Sequence, residues 1–157
     1  MPEENCRVCA GSGRIKKQKT LRVKVPAGIS DGERLRVTGE GEAGYRGSRP
    51  GDLYIRIRVE RDPRFERRGN DVYAKSKVSF FQAALGDEIS IPTTEGNVEL
   101  KVPAGTQPGT VFKLRKKGMP RMEGGRGDHY VTVNVEVPTK LSREQKKLLE
   151  ELKNLEK

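Results

Sequence analysis

The stretch VKVPAGISDGERLRVTGEG, Val23 to Gly41, returns as LKVPAGTQPGTVFKLRKKG, Leu100 to Gly118, with seven identities in nineteen positions. A second block follows each copy: GDLYIRIRVE (51–60) matches GDHYVTVNVE (127–136) at five of ten positions. The offset between blocks is almost the same in both, so one supersecondary design is used twice and the chain reads as two related domains in tandem. Two copies suit a protein that grips something extended.

Working outward, the pattern is mostly β. Residues 21–25, 53–59, 98–102 and 130–137 alternate apolar with polar side chains, which predicts strands with one buried and one wet face. Each VPAG supplies a Pro that ends a strand and a Gly for the turn after it. Residues 39–51 are glycine-rich and read as a loop, and Asp62-Pro63-Arg64-Phe65 reads as the hinge between domains. The second copy is preceded by a strand (72–78), a short helix (79–85), a strand (88–91) and a hairpin near Glu95-Gly96. The first copy has no such run before it. In its place stands CRVCAGSG (6–13), so the first domain reads as incomplete and the chain as a fragment.

Composition bounds the class. With 32% hydrophobic and 5% aromatic residues the cores must be thin, and the 27 Pro and Gly sit at turn positions rather than in a low-complexity run. No apolar stretch approaches the roughly 20 residues of a membrane span, and MPEENC carries no secretory core. Two cysteines in one CxxC favour a reducing compartment, so cytoplasmic localisation is the expectation. The net charge of +10 raises the alternative of a basic nucleic-acid-binding β protein. Along the strands, however, the cations alternate with apolar residues as on a solvated sheet face, and aromatics able to stack bases are scarce there.

CRVCAGSG has the form CxxCxGxG. Together with VPAGISDGERLRVTGEGEAG, PGDLYIRIRVE and DPRFERRGNDVY, it closely resembles the C-terminal region of the DnaJ, or J-domain co-chaperone, family. The resemblance runs from about Cys6 to the end. It implies two tandem β-sandwich-like domains, with a short helix in the second, and a C-terminal dimerisation helix. The implied boundaries are a remnant of a cysteine-rich zinc module at 1–14, an incomplete client-binding domain at 15–62, a second β domain at 63–138 and the helix at 139–157. It also implies a chaperone that binds unfolded or extended client polypeptides, prevents their aggregation and, in the full-length protein, delivers them to a DnaK-type chaperone. The J domain and its His-Pro-Asp tripeptide are absent from this sequence, whose one histidine is His129.

By the resemblance, clients add beside an exposed strand and place apolar side chains in a groove of the first domain. Leu21 and Ile55 match groove positions, with Val23, Leu35 and Ile57 as neighbours; the competing reading, ordinary core, is preferred for Val23 and Ile57. The family's zinc module has four CxxCxGxG repeats, of which one is present. Zinc sites of this type are tetrahedral, so Cys6 and Cys9 form a half-site at most and no cofactor is expected in this chain. No histidine pair, nucleophile triad or carboxylate pair in an apolar pocket suggests catalysis, so an enzyme is not expected.

The tail breaks the alternation. Ser142 with Gln145 forms a capping box, and Leu148, Leu152 and Leu155 fall on one helical face with Leu141 and Leu149 beside them. A helix of about 14 residues is marginal alone in water, so this stripe needs a partner. The resemblance makes that partner the tail of another protomer, giving a homodimer; the alternative is the chain's own second domain.

Overall fold

The computed structural model describes residues 17–44 and 48–156. They divide between Glu60 and Arg61 into two compact units. The architecture is mostly β, with several small sheets and a C-terminal helix.

In the first unit, β1 (Arg34–Val37) and β2 (Leu53–Arg56) pair antiparallel, with Leu35 opposite Ile55 and Val37 opposite Leu53. Side chains alternate across a strand, so these four apolar residues share one face and are half-buried. Arg34, Arg36, Tyr54 and Arg56 stand exposed on the other. Among the described residues of this unit, Ile29 is the buried hydrophobic one. The expected strand at 21–25 is not formed: Leu21 and Val23 are half-buried on irregular chain. The physical reason is pairing. The equivalent residues of the second unit lie in a strand with a hairpin partner, whereas no described residue of the first unit supplies one. The second strand likewise stops at Arg56, although Ile57 still holds the turn before β1, donating from its amide to the Glu33 carbonyl at 2.8 Å.

The second unit builds a four-stranded sheet in the order β3 (Glu66–Arg68), β4 (Asp71–Ser79), β8 (His129–Glu136), β7 (Val111–Leu114). The central pair β4–β8 is parallel and the flanking pairs are antiparallel. A separate hairpin, β5 (Asp87–Thr93) with β6 (Gly96–Val102), completes the strands. Its Ile89, Ile91, Leu100 and Val102 join Val78, Ala83, Val131 and Val133 in one buried core, with Phe112, Leu114 and Val135 packed against it. Between β4 and β5, α1 (Phe80–Leu85) starts where Ser79 and Gln82 exchange side-chain-to-backbone hydrogen bonds and ends at Gly86, whose φ of 82° suits glycine.

The sequence repeat is also a repeat of hydrogen bonds. In the first unit the Gly41 amide donates to the Gly51 carbonyl at 2.8 Å; in the second, Gly118 donates to Gly127 at 2.9 Å. Asp52 accepts from the Gly39 amide (3.0 Å) and the Arg36 guanidinium (2.7 Å), while Asp128 accepts from the Lys116 amide (2.9 Å) and pairs with Lys113 (2.9 Å). Each backbone amide bond, and after it the neighbouring cation, holds the carboxylate below the ordinary aspartate range. Lys116 has a φ of 57° because it occupies the place that Gly39, at 74°, fills in the first copy.

His129 lies fully buried at the start of β8, on the same face as Val131 and Val133, with neither ring nitrogen hydrogen-bonded. The Phe65 ring meets it edge-on at 5.8 Å, and Val72 and Leu114 flank it in register. Burial lowers its pKa below 6.5, so the folded chain holds it neutral. Below pH 6.5 the unfolded chain binds the proton more readily than the folded one. Stability is therefore expected to be full above that pH and to fall as pH drops towards the lowered folded value. Denaturant midpoints measured between about pH 7 and pH 5 check this against His129→Leu, in which that part of the slope should vanish. An unchanged slope in the variant would assign the loss to other groups.

Candidate functional site

Of the groove residues expected from the sequence, Leu35 and Ile55 are directly opposite one another across the β1–β2 ladder. Ile57 follows Ile55 by two residues and is half-buried, as are Leu21 and Val23 off the ladder. Two further residues belong to the strip: Val37 and Leu53 continue the same apolar face. They were missed because the alternation was read along each strand separately, whereas the register across strands selects them.

This face differs from the core of the second unit. There, a hairpin and α1 contribute to a cluster whose members are almost fully buried. Here two short strands carry a row of aliphatic side chains that remain partly accessible. Such a strip gains nothing from water, and its side chains recur at the two-residue spacing of an extended chain. The opposite face is cationic, yet Arg36 is tied to Asp52.

At the other end of the chain, α2 (Arg143–Leu155) begins at Ser142, whose hydroxyl accepts from the Gln145 amide while the Gln145 side chain accepts from Ser142. None of its residues is buried. Leu148 and Leu155 are 64% and 82% exposed, Leu141 and Leu152 are also exposed, and Leu149 is half-buried. The apolar stripe is thus uncovered by this chain's own second unit.

Cys6 and Cys9 lie outside the described residues. Among the described residues there is no group of three or more His, Cys, Asp or Glu able to hold a metal ion, and no helix is long and apolar enough to cross a membrane.

The family model of the DnaJ C terminal domain matches residues 4–138. The chain is similar to the Chaperone protein DnaJ of Parageobacillus thermoglucosidasius, with 53% identity over 98% of this chain and 40% of that protein. It is similar also to the Chaperone protein DnaJ of Thermosynechococcus vestitus, at 50% identity over 96% of this chain and 41% of that protein. A third relative, from Geobacillus kaustophilus, is 54% identical over 96% of this chain and 43% of its own length. The chain thus spans about 40% of the length of these curated relatives. Matched by one family model across most of its residues and by these relatives at half identity or better, the chain belongs to the DnaJ C-terminal domain family.

Proposed function

We propose that this chain is the client-holding part of a co-chaperone. Unfolded or extended polypeptides are held by the first unit, delivered to a DnaK-type partner in the full-length protein, and kept from aggregating meanwhile. The reading is of a cytoplasmic, non-catalytic binding module. The observation that carries it is the one-sided β1–β2 ladder, whose row Leu35, Val37, Leu53 and Ile55 stays half-buried. Leu21, Val23 and Ile57 are assigned to the margins of the same groove.

The names of the relatives agree with this reading, and none of them points to nucleic acid. Many of the cations that raise the nucleic-acid alternative are already neutralised in ion pairs, among them Arg36, Arg64, Arg68, Lys77, Lys113 and Arg126. The test compares an unfolded, apolar-rich polypeptide with a control oligonucleotide. Affinity for the polypeptide should hardly change between about 50 and 200 mM salt, over which phosphate contacts weaken steeply. Tighter binding of the oligonucleotide, with a steep salt slope, would overturn the assignment.

We assign α2 to a homodimer interface, two copies covering each other's Leu148, Leu152 and Leu155. Two grooves held in one assembly would add avidity for long clients. Deleting residues 141–157 should halve the mass measured by light scattering. A deleted chain that stays dimeric at the same concentration would place the interface elsewhere.

A further inference from the structure

β4 is nine residues long, yet β3 pairs only with its first three, Asp71–Tyr73. Before Glu66 the chain turns off this line: the Phe65 amide donates to the Asp62 carbonyl at 3.1 Å, and the Asp62 carboxylate accepts from the Arg64 amide at 2.9 Å. β8 occupies the other side of β4. Among the described residues, no strand or isolated bridge pairs with 74–79 on the β3 side. A cavity of about 420 Å³ opens there, lined by Phe65, Arg68, Tyr73, Ala74, Lys75 and Thr132 among others.

The charges around this edge are unequal. Arg64 is held by Asp62 at 2.7 Å, Arg68 by Glu66 at 2.8 Å and Lys77 by Glu136 at 2.5 Å. Lys75 is exposed and makes no ion pair among the described residues, and it shares the charge of Glu66, a carboxylate already tied to Arg68. It follows Tyr73 by two residues, so both belong to the sheet face that also carries the stacked Tyr73–Tyr130 pair, 5.0 Å between ring centres.

We propose that the open edge of β4, residues 74–78, is a second docking site, taking an extended segment of a partner protein that carries an acidic side chain opposite Lys75. A strand edge offers amide and carbonyl groups in the spacing that another extended backbone matches. The carboxylate answers the lining cation that makes no ion pair of its own, Glu66 being engaged by Arg68. A second copy of β4 is the wrong occupant, because it would set Lys75 and Lys77 against their own like charges. This site lies wholly in the second unit and uses no residue of the apolar strip.

The probe is a blocked nine-residue peptide of alternating Thr and Val with Glu at its centre. Three controls accompany it: the same peptide with Gln at that position, and two peptides N-methylated at alternate amides in either phase. Titrated into the whole chain and followed by backbone-amide NMR, the Glu peptide should shift residues 74–78. The Gln peptide should bind about three- to fivefold more weakly, the size of an exposed ion pair. One methylation phase should abolish binding and the other spare it, since only alternate amides face the edge. Lys75→Glu should reverse the preference towards a peptide with a central Lys, and Ile55→Ser should leave the affinity unchanged, which separates this site from the client groove. Binding that tolerates both methylation phases, or shifts confined to other residues, would overturn the proposal.

Discussion

Ile55→Ser is expected to weaken binding of an apolar-rich unfolded polypeptide about tenfold or more while leaving the second unit folded. Ile55 sits opposite Leu35 in the middle of the half-buried row, so its side chain is both reachable and flanked by apolar neighbours. Removing one aliphatic side chain from a contact it fully buries costs on the order of 2 kcal/mol, which is more than tenfold in affinity. The hydroxyl of serine adds to the loss, because an apolar client offers it no partner. Exchange of alanine for serine as a second variant separates the two contributions: Ile55→Ala should keep part of the affinity. The measurement is titration calorimetry or fluorescence anisotropy with the same client, alongside far-ultraviolet dichroism. If affinity holds while the first unit loses its structure, Ile55 is core and the groove lies elsewhere.

Gly127→Ala is expected to cost on the order of 3 kcal/mol or more, lowering the melting temperature of the second unit by roughly 10–20 °C. A Cβ at Gly127 would run into the Asn70 carbonyl and lie 2.8 Å from the Asp71 carboxylate. The obstacle is backbone, held in place by the Met119 amide bonding to the Asn70 carbonyl at 2.8 Å and by Asp71 accepting from the Asp128 amide at 2.8 Å. It cannot step aside without breaking the β3–β4 turn. The matched control is Gly51→Ala, the aligned glycine of the first copy, where among the described residues the added carbon meets only the Glu42 carbonyl at 4.0 Å. That variant should stay within about 0.5 kcal/mol of the parent. Calorimetric melting of both variants checks the contrast; equal losses would mean that the glycines serve the repeat itself rather than the Asn70 contact.

The contrast shows where sequence reading stops. The repeat aligned Gly51 with Gly127 and Asp52 with Asp128, and four strands, the hairpin and both helices of the second unit were legible in alternation, turns and the capping box of the tail, whereas β3 and β7 were not. Pairing does not follow so readily. Residues 21–25 alternate as well as 98–102 do, yet among the described residues only the latter have a partner, so similar patterns end as irregular chain and as strand. His129 stands two and four residues before Val131 and Val133, on the buried parity of β8. The alternation that marked the valines would have marked it too. In the candidate site, Leu35 and Ile55 were legible through the family resemblance, while Val37 and Leu53 needed the cross-strand register. The open edge of β4 was not legible at all, because it depends on where Asp62 turns the chain away from the sheet.

The parallel pairing of β4 with β8 also sets an order of events during synthesis. Asp71 and Asp128, which close the start of that ladder, are 57 positions apart, and everything between them folds locally as a helix, a hairpin and a short strand. At the roughly 5–20 residues per second of translation, β4 leaves the ribosome several seconds before the strand that completes it exists. For that interval the edge that β8 will cover is bare, and β3 covers the other only at Asp71–Tyr73. The stretch Val72 to Val78 then presents unpaired backbone to neighbouring nascent chains, and it carries Lys75 and Lys77, charges of the kind that discourage strand-to-strand pairing.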